Sequence, residues 1–244
     1  MEGRGREQVE EKEYGSGGLH YTERRSRRIR RLSISVDASC NIIVRVPEGA
    51  SRKEIHNFIL QNRKWIDNSV AEMAAMERIT IDGSSGSKAV YGGRVLDVEV
   101  CEQPGGGYYT LLENSGKLKL FCGDGEQERV RIISMFYAER TLDFLKRKIP
   151  EWERATGLRA AKYEIKNFRS KWGSCSPGGT IRFNSRLSLF PEEVMEYVVV
   201  HELCHLRHRR HDEKFWHSVA NHIPDFMDRR RALRKWALKT RFAW

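Results

Sequence analysis

Residues 32–36 read Leu-Ser-Ile-Ser-Val, apolar and polar in alternation, and a second apolar run at 42–46 (IIVRV) follows a polar turn at 37–41. A period of two sends successive side chains to opposite faces of a strand, so the two runs predict a β-hairpin. Pro47, Glu48 and Gly49 end it. Ser51 and Glu54 stand at capping-box spacing, and Ile55, Phe58, Ile59 and Ile66 follow at helical steps, which predicts one helix to about residue 76. After the GSSGS loop at 83–87, short runs at 91–100, 108–112 and 118–122 are parted by glycines. They predict a small antiparallel sheet with one wet face.

From residue 126 the period lengthens. Val130, Ile133 and Tyr137, then Leu142, Leu145 and Ile149, recur at steps of three and four, the mark of a long helix disturbed at Pro150 and ended near Gly157. Residues 163–168 and 180–187 are strand-like and flank the run Lys171 to Ser176 (KWGSCS). In the second strand Ile181, Phe183 and Leu187 face one way, and Arg182, Asn184 and Arg186 the other. Pro191 opens a strongly apolar helix, with Glu192 and Glu193 at the positive end of its dipole. The pattern is α+β: a flexible tail at 1–18, an N-terminal scaffold of antiparallel sheet plus helix at 19–160, and a core at 161–244 ending in a basic helix.

Composition narrows the class. At 244 residues, 39% hydrophobic and 10% aromatic, the chain can bury a core. No apolar run reaches the ~18 residues of a membrane span. The charged, glycine-rich first 18 residues lack the apolar segment of a secretory signal, so the expected compartment is the cytoplasm. The five cysteines include no C-x-x-C pair, which fits reduced thiols rather than a disulfide framework. A net charge of +11 favours acidic partners, nucleic acid among them, or is simply a solvated basic surface. Candidate contacts are the six arginines within 24–31 and the C-terminal Arg229, Arg230, Arg231, Arg234, Lys235, Lys239 and Arg241.

The chemistry concentrates at His201-Glu202-Leu203-Cys204-His205, an H-E-x-x-H motif. Imidazoles four apart share a helix face and can grip one zinc ion, and Glu202 can reach a water on that ion. A third ligand is needed. His208 stands seven residues beyond His201, about 10 Å along a straight helix, too far for Zn–N bonds of ~2.0 Å. His211 suits better, because Arg209 and Arg210 let the chain leave the helix and fold back, with Asp212 capping a further helix anchored by Phe215, Trp216 and Val219. Zinc would lower the pKa of its water, and Glu202 would act as general base. Arg186, Tyr197 and His217 are open candidates for stabilising the oxyanion. The edge of the strand at 180–187 could bind an extended peptide, or the strand is only sheet core. Gly173-Ser174-Cys175 faintly matches a cysteine-protease nucleophile, but the downstream spacing is wrong and a structural thiol is the better reading.

Several motifs in order resemble the YgjP-like metallopeptidases: KWGSCS at 171–176, IRFNSRL at 181–187, YVVVHELCHL at 197–206 and HDEKFW at 211–216. The order of N-terminal strands, the helix carrying Trp65 and Ile66, and the Tyr91-Gly92-Gly93 turn are similar as well. The resemblance implies a zincin-like core related to SprT-like proteases, with an H-E-x-x-H helix and an edge hairpin. It also implies zinc held by His201, His205 and His211, with Glu202 catalytic. Two other functions compete with a peptidase: a nucleic-acid-associated zinc protein, including a protease acting on DNA-bound proteins, and a zinc hydrolase of non-peptide substrates.

Overall fold

A computed structural model describes residues 10–16, 18–103 and 105–244, so residues 1–9 and 17 of the expected tail lie outside it. The described chain is mixed α+β and forms two compact units, Met1–Glu77 and Arg78–Trp244.

In the first unit, β1 (Glu10–Ser16), which falls within the span expected as a tail, pairs antiparallel with β2 (Leu19–Ser26). β3 (Ser33–Val36) and β4 (Ile42–Pro47) form the expected hairpin, and the sheet order is β1-β2-β4-β3. The hairpin turn is built by Asp37, whose carboxylate accepts from the main-chain N–H of Ser39 and Asn41. Two helices follow, α1 (Arg52–Gln61) and α2 (Arg63–Ala75), where the periodicity predicts one. The capping box of Ser51 and Glu54 is present. The break is at Asn62, whose side-chain amide donates to the Phe58 carbonyl at 2.8 Å and competes with the helical ladder. Two arginines of the 24–31 run are committed within this unit. Arg25 binds Glu23 and the carbonyls of Glu48 and Ala50, and Arg27 binds the Glu48 carboxylate.

The second unit begins with β5 (Ile79–Ile81), β6 (Lys88–Tyr91), β7 (Arg94–Glu102), β8 (Tyr108–Leu112) and β9 (Lys117–Cys122). The last four form a sheet in the order β6-β7-β9-β8. It is mixed rather than antiparallel: β8 and β9 make a hairpin that returns β9 beside β7 in parallel register. The run expected as one strand at 91–100 is split by Gly92 and Gly93, both at positive φ, which suits a tight two-residue hairpin. This turn donates from Gly92 N–H to Ser188 O and from Gly93 N–H to Leu189 O, each at 2.9 Å. A Cβ on residue 93 would lie 2.5 Å from Pro191 Cγ, so only glycine lets the turn reach the start of the next helix but one.

α3 (Glu126–Thr156) runs unbroken through Pro150 and ends on Gly157 at φ 65. β10 (Lys162–Lys166), β11 (Gly173–Cys175) and β12 (Thr180–Asn184) form a three-stranded sheet ordered β10-β12-β11. Then come α4 (Glu192–Cys204), α5 (Glu213–His222), α6 (Phe226–Lys239) and β13 (Thr240–Phe242), which pairs parallel with β5. One buried cluster joins Leu118 and Leu120 of β9, Phe136 and Leu145 of α3, Phe183 of β12 and Val198 and Leu203 of α4. The β6–β9 sheet and α3 share the core that holds α4. No helix among the described residues is long and apolar enough to cross a membrane.

Candidate metal centre

α4 is buried on nearly every side, not on one face: Val194, Met195, Val198, Val199, Val200, Leu203 and Cys204 are all inside. A helix apolar all round sits within its domain. His201 and Glu202 near its C-terminal end are therefore held in a dry setting. The helix stops at Cys204 with His205 as its C-cap, and bonds from Leu206 N–H to Leu203 O and from Arg207 N–H to Cys204 O tighten the exit. Arg209 then fastens the loop, donating to the carbonyls of Ser176 at 2.7 Å and Pro177 at 2.9 Å in the β11–β12 turn. Asp212 caps α5 as expected, its side chain accepting from Phe215 N–H at 3.0 Å, and Phe215 and Val219 are buried. His211 sits on the fold-back between these two anchors.

The result is a convergence of three imidazoles. His211 Nε2 lies 3.1 Å from both His201 Nε2 and His205 Nε2, and the ligand-capable atoms of the three lie within 4.8 Å of one another. Phe215 packs beneath them, with ring centroids 4.9, 4.5 and 4.8 Å from His201, His205 and His211. Trp216 stacks on His211. His205 Nδ1 is 2.9 Å from the main-chain carbonyl of His208. A carbonyl can only accept, so Nδ1 carries the proton and Nε2 presents its lone pair to the centre. The Tyr197 hydroxyl lies 3.5 Å from His201 Nδ1. Burial, followed by the neighbouring His205 and His211, brings His201 down to about 3. Burial also lowers His211, helped by His205 and Arg230. At neutral pH both rings keep a free lone pair.

Glu202 is 6% exposed, and its Oε2 has no hydrogen-bond partner among the described residues. Burial pushes its carboxyl up to about 8, opposed by the charge of Lys171. Gly173 of β11 lies flat against it: a Cβ there would stand 2.6 Å from both Cγ and Oε1 of Glu202.

The other sequence candidates are placed apart or in supporting positions. His208 enters through its carbonyl rather than its ring. Arg186 stacks its guanidinium 4.1 Å from the Phe242 ring centre and 5.3 Å from that of Trp244, and donates to the Trp244 carbonyl. His217 is exposed. The strand at 180–187 is not an edge: β12 ends at Asn184 and is paired on both sides, by β10 and β11. The open edge near Glu202 belongs to β11. The bonds from Asn184 N–H to Trp172 O and from Ser176 N–H to Thr180 O set its alternation, which turns the main-chain groups of Gly173 and Cys175 away from β12. Cys175 is half-buried, its thiol pushed up by burial, and Arg209 contacts its sulfur, an environment for a structural thiol. In the sequence Gly173 stands out only within Gly173-Ser174-Cys175 and Arg209 only where the chain leaves the helix; their contacts with Glu202 and with the β11–β12 turn join residues far apart in the chain.

No curated protein matches the chain. Among solved structures, the metallopeptidase zymogen of Pyrococcus abyssi abylysin is similar at 23% identity, covering 36% of this chain and 90% of that one, with a TM-score of 0.30. A family match reaches much further. It takes in the hairpin of the first unit, the mixed sheet, the KWGSCS strand, the histidine convergence and most of α6. Residues 30–236 match the YgjP-like metallopeptidase domain, and the chain belongs to that family.

Proposed function

We propose that the chain is a zinc-dependent peptidase in which His201, His205 and His211 hold the metal and Glu202 is the general base. The observation that carries this reading is the 3.1 Å spacing of the imidazole Nε2 atoms about His211. Zn–N bonds of ~2.05 Å in a regular tetrahedron place neighbouring nitrogens ~3.3 Å apart, close to the two spacings about His211. Neutral nitrogen donors with no carboxylate among them also suit zinc better than magnesium or calcium. Bound there, zinc supplies a Lewis acid that acidifies water and polarises a peptide carbonyl.

The remaining work falls to the protein. The His208 carbonyl fixes the His205 tautomer, and Tyr197 stands behind His201 in the corresponding place. Glu202 would receive a proton at its carboxylate and return it to the leaving amine; burial strengthens the carboxylate as a base, and a cation held beside it would favour the ionised form that accepts the proton. Gly173, lacking a side chain, lets a main-chain strand lie directly against that carboxylate. The outward main-chain groups of Gly173 and Cys175 suit an extended peptide added to the β11 edge, which brings a scissile bond beside Glu202.

The test combines metal analysis with cleavage of a mixed peptide library. About one zinc per chain is expected, with cleavage abolished by chelator and by Glu202→Gln, and with zinc retained in Glu202→Gln but lost in His205→Ala. Full cleavage by Glu202→Gln would sink the reading.

A further inference from the structure

The three-stranded sheet has a second open edge. In the order β10-β12-β11, β10 carries no strand on its outer side among the described residues. The bond from Ser185 N–H to Lys166 O, at 2.9 Å, and the parallel register of Lys166 with Asn184 turn the main-chain groups of Lys162, Glu164 and Lys166 towards β12. Those of Tyr163 and Ile165 therefore point outwards. Residues 163–165 also form one wall of a groove of about 310 Å³, whose other wall is Leu142, Leu145, Ile149 and Pro150 of α3. Tyr163 is fixed there, its hydroxyl donating to Glu153 of α3 at 2.8 Å and its ring stacked on Phe183.

Two observations mark the groove as unfinished. Leu142, a large apolar side chain in its wall, is 40% exposed. Pro150 has no N–H, so the Lys146 carbonyl loses the donor four residues on, and both residues line the groove. Charge then says what would fit. Lys146 stands on the groove side, and Lys162 and Lys166 stand on the other face of β10, all three exposed. Glu164, the one carboxylate on this strand, is already bonded by Lys162 at 2.9 Å and by Arg182 at 2.7 Å. Among the described residues no carboxylate pairs with Lys146 or Lys166. A strand added to this edge sends alternate side chains to opposite faces, so one set meets the apolar groove and the other meets the lysines.

We propose that the groove between α3 and β10 docks an extended segment of a partner protein, one that alternates apolar and acidic residues and pairs with the β10 edge. Main-chain bonds to Tyr163 and Ile165 hold the segment. Its apolar side chains fill the groove beside Leu142, and its carboxylates meet Lys162 and Lys166. The site is separate from the metal centre: β10 and β11 lie on opposite sides of β12, so a peptide on one edge leaves the other open. The proposal therefore does not rest on the peptidase reading. A second copy of this chain fits less well. Setting β10 against β10 brings Lys146 and Lys166 of both chains to one seam, the like-charge contact by which edge lysines discourage self-pairing.

The experiment reads binding to the full chain carrying Glu202→Gln, which keeps the probes intact. Three nonapeptides with blocked ends and a neutral coumarin label are titrated by fluorescence anisotropy at about 0.15 M salt. The first alternates valine with glutamate, the second alternates valine with lysine, and the third is the first with two central valines replaced by proline. The first should bind about tenfold tighter than either of the others, because lysine meets like charge and proline lacks the N–H for pairing. It should also slow amide exchange in residues 162–166. Leu142→Asp and Lys166→Glu, both on exposed side chains, should each weaken it about fivefold. The proposal is overturned if the second or third probe binds as tightly as the first, or if the affinity survives both substitutions. Protection that falls on residues 173–175 instead places the peptide on the catalytic edge and also overturns it. A chain that sediments as a dimer at micromolar concentration, and as a monomer with Leu142→Asp, assigns the groove to a second copy and equally overturns it.

Discussion

The contact between Gly173 and Glu202 is the most sensitive point of the site, and Gly173→Ala probes it with one methyl group. The new Cβ would stand 2.6 Å from Cγ and Oε1 and 2.8 Å from Cδ of Glu202, whereas ordinary contact begins at 3.4 Å. Relief therefore requires a shift of about 0.8 Å, comparable to the ~1 Å misplacement that costs about a hundredfold in rate. Residue 173 does not sit at positive φ, so the backbone tolerates alanine and the penalty falls on the carboxylate. Overpacking of this kind costs about 1–3 kcal/mol in stability, or roughly 2–10 °C in Tm for a unit of this size. The three histidines are not touched, so zinc content should be unchanged. The measurements are the cleavage rate on a fixed peptide, zinc per chain, and a thermal melt. Activity within twofold of the unaltered chain at an unchanged Tm would refute the argument that Gly173 positions Glu202.

Other perturbations separate the supports of the site. Arg209→Ala removes the two bonds that fasten the His211 loop to the β11–β12 turn, so zinc should pass to a competing chelator about tenfold more readily; unchanged retention would mean that Asp212 alone positions His211. Asp212→Ala removes the α5 cap and should cost about 1 kcal/mol of stability, read as a lower urea midpoint with an unchanged slope. Lys148→Gln removes a cation bonded to Glu196 at 3.0 Å, Glu192 at 3.1 Å and Glu151 at 3.2 Å, a loss of about 1–2 kcal/mol at pH 7 after screening. Partial burial raises Glu192, but Lys148 and Arg147 more than offset this and hold it below 4.5, so its share is present above that value and is lost as pH falls through the lowered one. Lys148 is held above 10.5 by Glu196 and Glu192, so its share persists until well into alkali. The penalty of Lys148→Gln should therefore shrink by pH 3.5, and equal urea-melt losses at pH 3.5 and pH 7 would contradict it.

Local chemistry was legible wherever neighbours in sequence decide the outcome. The capping box at Ser51 and Glu54, the stop at Gly157 and the cap at Asp212 depend on residues three or four apart. So did the gathering of His201, His205 and His211, because helix rise and bond length alone argue against the His208 ring and leave a fold-back. Pairing across the chain was not legible. Alternation in residues 180–187 marks a strand but carries no sign of which neighbours flank it, so its central place between β10 and β11 could not be read. The parallel return of β9 beside β7 is hidden for the same reason. The break at Asn62 was missed because apolar periodicity continues through it to Ile66, while the polar side chain takes the Phe58 carbonyl.

The shortness of β11 has a consequence for what the protein can hold. Three residues leave only two outward-facing positions, Gly173 and Cys175, for main-chain pairing with a guest. A strip so brief gives a bound peptide little grip through its backbone, whatever the peptide's length. It also gives a second copy of the chain, or an unfolding neighbour, little to zip onto, since short edges are poor templates for runaway pairing. A peptide paired along it would have to be anchored chiefly by its side chains or its end.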